Sequence, residues 1–193
     1  MKKLLVLFIA ITMVGSFAYS QDKIRGCEVG LSFNLYDFVT ADLIRKTSLS
    51  AVLRDESWAR MGQMTPGVSI HYFKGLTKNA DFAGTISGTI INYPLANKPN
   101  TGVSKLLVAA DASAQFRLVD ENFWFQPFVS VGAGAHKLGS YWGAYAPLGL
   151  GFNIDILNEG KFFVSSQYRV PVTTESASRH YFHSIGITSK LSK

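Results

Sequence analysis

Cysteine, strong charge and long apolar runs are all scarce in this chain of 193 residues. A single cysteine, Cys27, cannot close an internal disulfide, so the fold is not covalently stapled. The tripeptide Ile24-Arg25-Gly26 before it is no apolar core leading into a cleavage site, which sets aside a lipid-modified cysteine. Removing Lys2 and Lys3 from the 19 basic residues leaves 17 against 13 acidic ones, a net charge of +4 spread along the chain. Without a basic stripe, nucleic acid is not an expected partner. The four histidines and one cysteine show no metal-ligand spacing, so no metal is expected. Gly132-Ala133-Gly134 and Gly149-Leu150-Gly151 lack a following Lys-Ser/Thr, so neither is a phosphate loop and no cofactor is expected. After Ser20 no apolar run is long enough for a membrane helix. If the remaining chain crosses a membrane it must do so as a closed barrel, because lipid offers no partner to unpaired backbone groups.

What is present begins with a three-part export signal. Lys2 and Lys3 form the basic end, Leu4 to Val14 the apolar core, and Ala18-Tyr19-Ser20 puts small residues at −3 and −1. Residues 1–20 are therefore expected to be cleaved before Gln21, leaving 21–193 as one barrel domain of about 170 residues.

The strongest pattern in that domain is a period of two. From Lys105 to Leu118 one set of side chains is Leu106, Val108, Ala110, Ala112, Ala114, Phe116 and Leu118; the other is Leu107, Ala109, Asp111, Ser113, Gln115 and Arg117. Such alternation marks a strand with one apolar and one polar face. Its length suits a tilted membrane strand of about 9–11 residues. Eight such strands are expected, near Glu28–Tyr36, Gly67–Lys74, Asp81–Tyr93, Lys105–Leu118, Phe123–Leu138, Ala144–Ile156, Lys161–Val170 and His180–Leu191. The even-numbered gaps are short and the odd-numbered gaps generally longer. This is the asymmetry of an outer-membrane barrel, with short periplasmic turns and longer extracellular loops. The predicted fold class is all-β: an eight-stranded antiparallel up-and-down transmembrane barrel. In the first loop, 37–66, Ser48 is placed to cap a short helix across Leu49 to Met61 carrying Val52, Leu53 and Trp58. That loop is either a lid on the barrel mouth or a surface for an extracellular partner.

The polar face is rich in Gly, Ser and Asn, which suits a narrow lumen filled with side chains. A soluble ligand-binding barrel would be turned inside out, with more Lys and Glu on its outer surface. The expected polar network of the membrane barrel's lumen is Glu28, His71, Asp111, Arg117, Asp155 and Arg169, with both signs present so that charges pair across the lumen. The readings are a polar plug, which is favoured, or a narrow ion path. Two aromatic girdles are expected: Tyr36, Tyr93, Tyr141, Trp142, Tyr145 and Tyr181 toward the loops, and Tyr72, Phe116, Trp124, Phe125 and Phe162 toward the turns. His180, His183 and Ser184 suggest an acyl-transfer site, but neighbours on a strand point to opposite faces, so His183 and Ser184 cannot pair there. No catalytic residues are assigned.

The chain resembles the N-terminal barrels of the OmpA-like outer-membrane family. The resemblance lies in Tyr72-Phe73-Lys74-Gly75-Leu76, Asp81-Phe82-Ala83-Gly84, Gln167 through Glu175 (QYRVPVTTE) and Tyr181-Phe182-His183-Ser184-Ile185-Gly186, and the strand pattern extends it over nearly the whole mature chain. It implies a non-enzymatic structural or surface-interaction barrel in the outer membrane, monomeric, in contact with outer-membrane lipid and lipopolysaccharide. The peptidoglycan-binding domain of many relatives is not expected, since the last strand ends close to Lys193. A passive channel, a soluble ligand-binding barrel and, further off, a lipid-modifying enzyme are the alternatives.

Overall fold

The computed structural model describes residues 24–92, 104–119, 123–156, 160–173 and 176–191. The export signal and Tyr93 lie outside the described residues. The strands are β1 (Glu28–Asp37), β2 (Thr65–Gly75), β3 (Ala80–Ile91), β4 (Lys105–Arg117), β5 (Phe125–Leu138), β6 (Tyr141–Ile156), β7 (Gly160–Pro171) and β8 (His180–Lys190). Each pairs antiparallel with its successor, and β8 pairs back onto β1, setting Glu28 opposite Lys190 and Tyr36 opposite Phe182. Eight strands so joined form a closed barrel without a free edge.

Alternation decides which way each side chain faces. In β4, Leu107, Ala109, Asp111, Ser113, Gln115 and Arg117 are buried, while Leu106, Val108, Ala110, Ala112 and Phe116 are exposed. The other strands keep phase: Ser32 and Asn34 in β1, Ser69 and His71 in β2, and Gln167 and Arg169 in β7 are buried. Large aliphatic residues such as Leu31, Ile70, Ile86, Leu106, Leu150 and Ile187 stand outside, each more than half exposed. A polar interior within an apolar belt inverts a water-soluble protein and matches a wall that faces lipid.

The first loop holds two helices where the sequence suggested one. α1 (Phe38–Lys46) starts at Asp37, whose carboxylate accepts from the Thr40 N–H at 2.9 Å. Arg45 and Lys46 close it, favourably placed for the helix dipole. α2 (Leu49–Arg54) is capped by Ser48, whose hydroxyl accepts from the Ala51 N–H at 3.2 Å. It stops at Arg54, well short of Met61, because Glu56 (φ 50°) and Ala59 (φ 51°) adopt left-handed backbone that a helix cannot contain. Phe38 packs against the apolar cluster in the mouth, and Thr40 and Ala41 are buried, so α1 forms a lid. On α2, Val52 is buried while Leu49 and Leu53 are about half exposed.

The fifth connection also differs. It is expected at Gly139 to Gly143, yet β6 runs on to Tyr141 because Trp142 and Gly143 still pair with Lys137 and His136. Only Gly139 and Ser140 remain, and Gly139 (φ 58°) supplies the positive φ that a two-residue hairpin turn requires.

Candidate functional site

The expected lumen residues do not form one network. They lie in three layers along the barrel. At the turn end, Glu28 accepts from the Lys161 ammonium and from the Thr188 hydroxyl (2.9 Å). Arg25, just before β1, inserts here: it donates to Asp81 at 3.0 Å and to Gln126 at 2.6 Å, with Glu28 at 4.0 Å. Arg117 lies 3.6 Å from the same Asp81 carboxylate and donates to the Lys78 carbonyl. Asp155 is half-buried and accepts from Gln126 at 3.0 Å. Gly75 makes the close approach of Arg25 feasible, since a Cβ there would sit 2.7 Å from the Arg25 carbonyl oxygen.

The middle layer is uncharged at its hydroxyls. The His71 imidazole lies 2.7 Å from Ser32 Oγ and 3.2 Å from Thr85 Oγ1. The Asn34 amide lies between the hydroxyls of Ser32, Ser69 and Ser184 at 2.5–2.7 Å. Phe73 and Phe163 pack on the His71 ring, at 5.8 and 4.9 Å between centroids.

Toward the loops, the fully buried Arg169 donates to Asp111 at 2.9 Å, and the Tyr145 hydroxyl donates to the same carboxylate oxygen at 3.1 Å. Its guanidinium lies 3.6 Å from the Phe182 ring centre and 4.8 Å from that of Tyr145, in cation–π range of both. Above this pair, Tyr36, Ile91, Leu107, Leu138 and Phe182 form an apolar cap. Inside the barrel, among the described residues, the cations Arg25, Arg117, Lys161 and Arg169 face the anions Glu28, Asp81, Asp111 and Asp155. Charge is thus balanced within an interior where an unpaired ion would be costly.

Three side chains assigned to the loop-side girdle belong elsewhere. Tyr36 is 0% exposed inside the lumen, where its hydroxyl donates to Ser87 at 3.0 Å. Tyr145 is buried against Arg169, and Tyr141 shares its inward parity at the rim. Parity overrode position: Tyr36 is in step with Glu28, Ser32 and Asn34, so it must turn inward wherever along the strand it lies. Of the expected girdle residues, Tyr72, Phe116, Trp124, Phe125 and Phe162 lie on the outer face near the turns, and Trp142 and Tyr181 near the loops; Trp124 and Trp142 are 69% and 65% exposed. Lys161 and Asp81, absent from the expected network, carry the same inward parity and are buried.

His183 and Ser184 are not brought together. Ser184 faces the lumen at Asn34, while His183 lies on the outer wall beside Tyr181. Among the described residues no group of three or more His, Cys, Asp or Glu could hold a metal ion.

No protein-family model and no curated protein sequence matches the chain. Solved structures do. Neisserial surface protein A aligns over 88% of this chain and 100% of its own, with a TM-score of 0.54 at 14% identity. The fold is that of the small outer-membrane barrels. Two proteins of Pseudomonas aeruginosa share it: the outer membrane protein OprG (TM-score 0.55, 10% identity, 91% of this chain and 100% of its own) and the N-terminal β-barrel domain of OprF (0.52, 13%, 88% and 100%). Identities this low speak for architecture alone, in agreement with the OmpA-like barrel architecture read from the sequence.

Proposed function

We propose that this protein is exported, loses residues 1–20, and resides as a monomer in the outer membrane, as a non-enzymatic barrel with a structural or surface-interaction role. The observation that carries this reading is the layered, charge-balanced lumen inside an apolar belt. Side chains bond to one another across the interior, so the barrel is a solid post and its loops are the part available to other molecules. Lipid, including lipopolysaccharide in the outer leaflet, surrounds the belt. Within the first loop α1 acts as the lid, and α2 with the segment after it offers the exposed surface to an extracellular partner.

The test is electrophoretic mobility of envelope-extracted protein in SDS, unboiled against boiled, together with conductance in planar bilayers. A closed barrel resists SDS because every strand is bonded to two neighbours. The expected result is a heat-dependent shift with no large, stable conductance. A protein found soluble in the periplasm with no shift would overturn the membrane assignment, and steady large conductance would replace the plug by a channel.

A further inference from the structure

The segment after α2 does not stay above the barrel. Trp58 leans over the outside of the wall, its ring centre 5.2 Å from that of Tyr181, which in turn packs on Tyr168 (5.0 Å) and His183 (6.0 Å). The segment is held in place from behind: the Ala59 N–H donates to Thr40 of α1 at 3.2 Å, and Ser57 N–H donates to the Val52 carbonyl at 3.1 Å. The two left-handed non-glycine residues, Glu56 and Ala59, bracket Trp58. Such backbone is unfavourable for a side chain with a Cβ and persists only where surroundings impose it.

Between this overhang and the wall lies a groove of about 650 Å³, within the range of small-molecule sites. Its roof is Trp58, Met61 and Met64, and its floor includes Leu148, Leu150 and Leu35. That floor is a continuation of the lipid-facing belt. Two polar residues interrupt it, Ser166 and His183, directly opposite each other in the β7–β8 ladder and flanked by Leu150 and Leu35. The His183 Nε2 atom is buried and has no hydrogen-bond partner. A buried imidazole nitrogen left unpaired on an apolar wall is costly unless something polar completes it. Arg60, between the lining residues Ala59 and Met61, is exposed at the overhang.

We infer that this groove is a lipid site: it holds one ester-linked acyl chain of the phosphorylated lipid anchor of lipopolysaccharide, the lipid of the leaflet at the loop end. The chain lies under Trp58 and Met61, an ester oxygen reaches His183 and Ser166, and the headgroup phosphate lies toward Arg60. A groove open to the belt meets acyl chains before any soluble ligand. The polar pair lies just below Tyr168 and Tyr181, at the depth where a lipid passes from chain to ester. This inference rests on the membrane insertion proposed above.

Native mass spectrometry of the full barrel, released from detergent doped with diphosphorylated hexa-acyl lipid A, tests it. The expected result is one tightly retained lipid per barrel. Ser166→Phe fills the floor and is expected to weaken retention at least about tenfold, whereas His183→Leu keeps the apolar wall and costs roughly two- to tenfold. Val129→Phe, an outward change on β5 outside the groove, serves as the control and leaves retention unchanged. Heat-dependent mobility is checked for each variant, so loss of the lipid is separated from loss of the barrel. A heat-modifiable wild-type barrel without an adduct, or an adduct that Ser166→Phe and His183→Leu both leave untouched, overturns the lipid site alone. A lipid-free dimer would give the groove to a second copy and overturn it as well. Protein that stays soluble without detergent removes the membrane reading and the site together.

Discussion

The two ends of the lumen are closed by different chemistry. At the turn end Arg25, Arg117 and Lys161 interlock with Glu28 and Asp81, and a segment from before the first strand supplies one of the cations. At the loop end one ion pair, Arg169 with Asp111, sits among aromatic rings beneath an apolar cap and α1. A shared cluster has redundancy, since Glu28 and Asp81 each have two cations within reach. The loop end has none: removing either member of its pair strands the other where water does not reach. The lumen therefore tolerates the loss of a charge at one end and not at the other.

That contrast is broken most severely by Arg169→Ala, which leaves Asp111 buried without its cation. The expected loss is about 3–5 kcal/mol in reversible urea unfolding of the barrel in lipid vesicles. Lys161→Ala removes the direct partner of Glu28 but leaves Arg25 at 4.0 Å, so a smaller loss of about 2–3 kcal/mol is expected. A loss equal to that of Arg169→Ala would show that the turn-end cluster is not redundant. Arg117→Ala leaves Arg25 on Asp81; about 1–3 kcal/mol should be lost, with bilayer conductance no larger than in the wild type. Gly75→Ala sharpens the comparison from the backbone side, because its Cβ would collide with Arg25 and lift that residue out of the cluster. Trypsin should then cut after Arg25 in the folded barrel much faster than in the wild type, at a stability cost of about 1–3 kcal/mol. The smallest effect belongs to Asp37→Ala, which removes the α1 cap and costs about 1 kcal/mol, seen as faster amide exchange in α1 with the barrel itself unchanged.

The wall was almost entirely legible from the chain, since strand parity is local: a side chain's face follows from its neighbours two positions away. Eight strands, their phase and the identity of Glu28, His71, Asp111, Arg117 and Arg169 as inward groups all follow from that rule. Where the reading erred, at Tyr36, Tyr141 and Tyr145, it ranked nearness to a strand end above parity. The start of α1 was also within reach, because Asp37 is a preferred N-cap residue type standing directly before Phe38.

Other features had no local signature. Arg25 precedes every strand, and its bond to Asp81 spans 56 positions and exists only once the barrel has closed. The division of one polar face into three layers depends on which residues come level across the barrel, which the register sets and no single strand records. The fold of Trp58 down over Tyr181 joins residues from a loop and from the last strand. By itself the sequence determined inside and outside, because a period of two is written residue by residue. Only the tertiary structure decided which charges pair, where Arg25 goes and that the first loop overhangs the wall, because those contacts are set by closure and register among residues far apart in the chain.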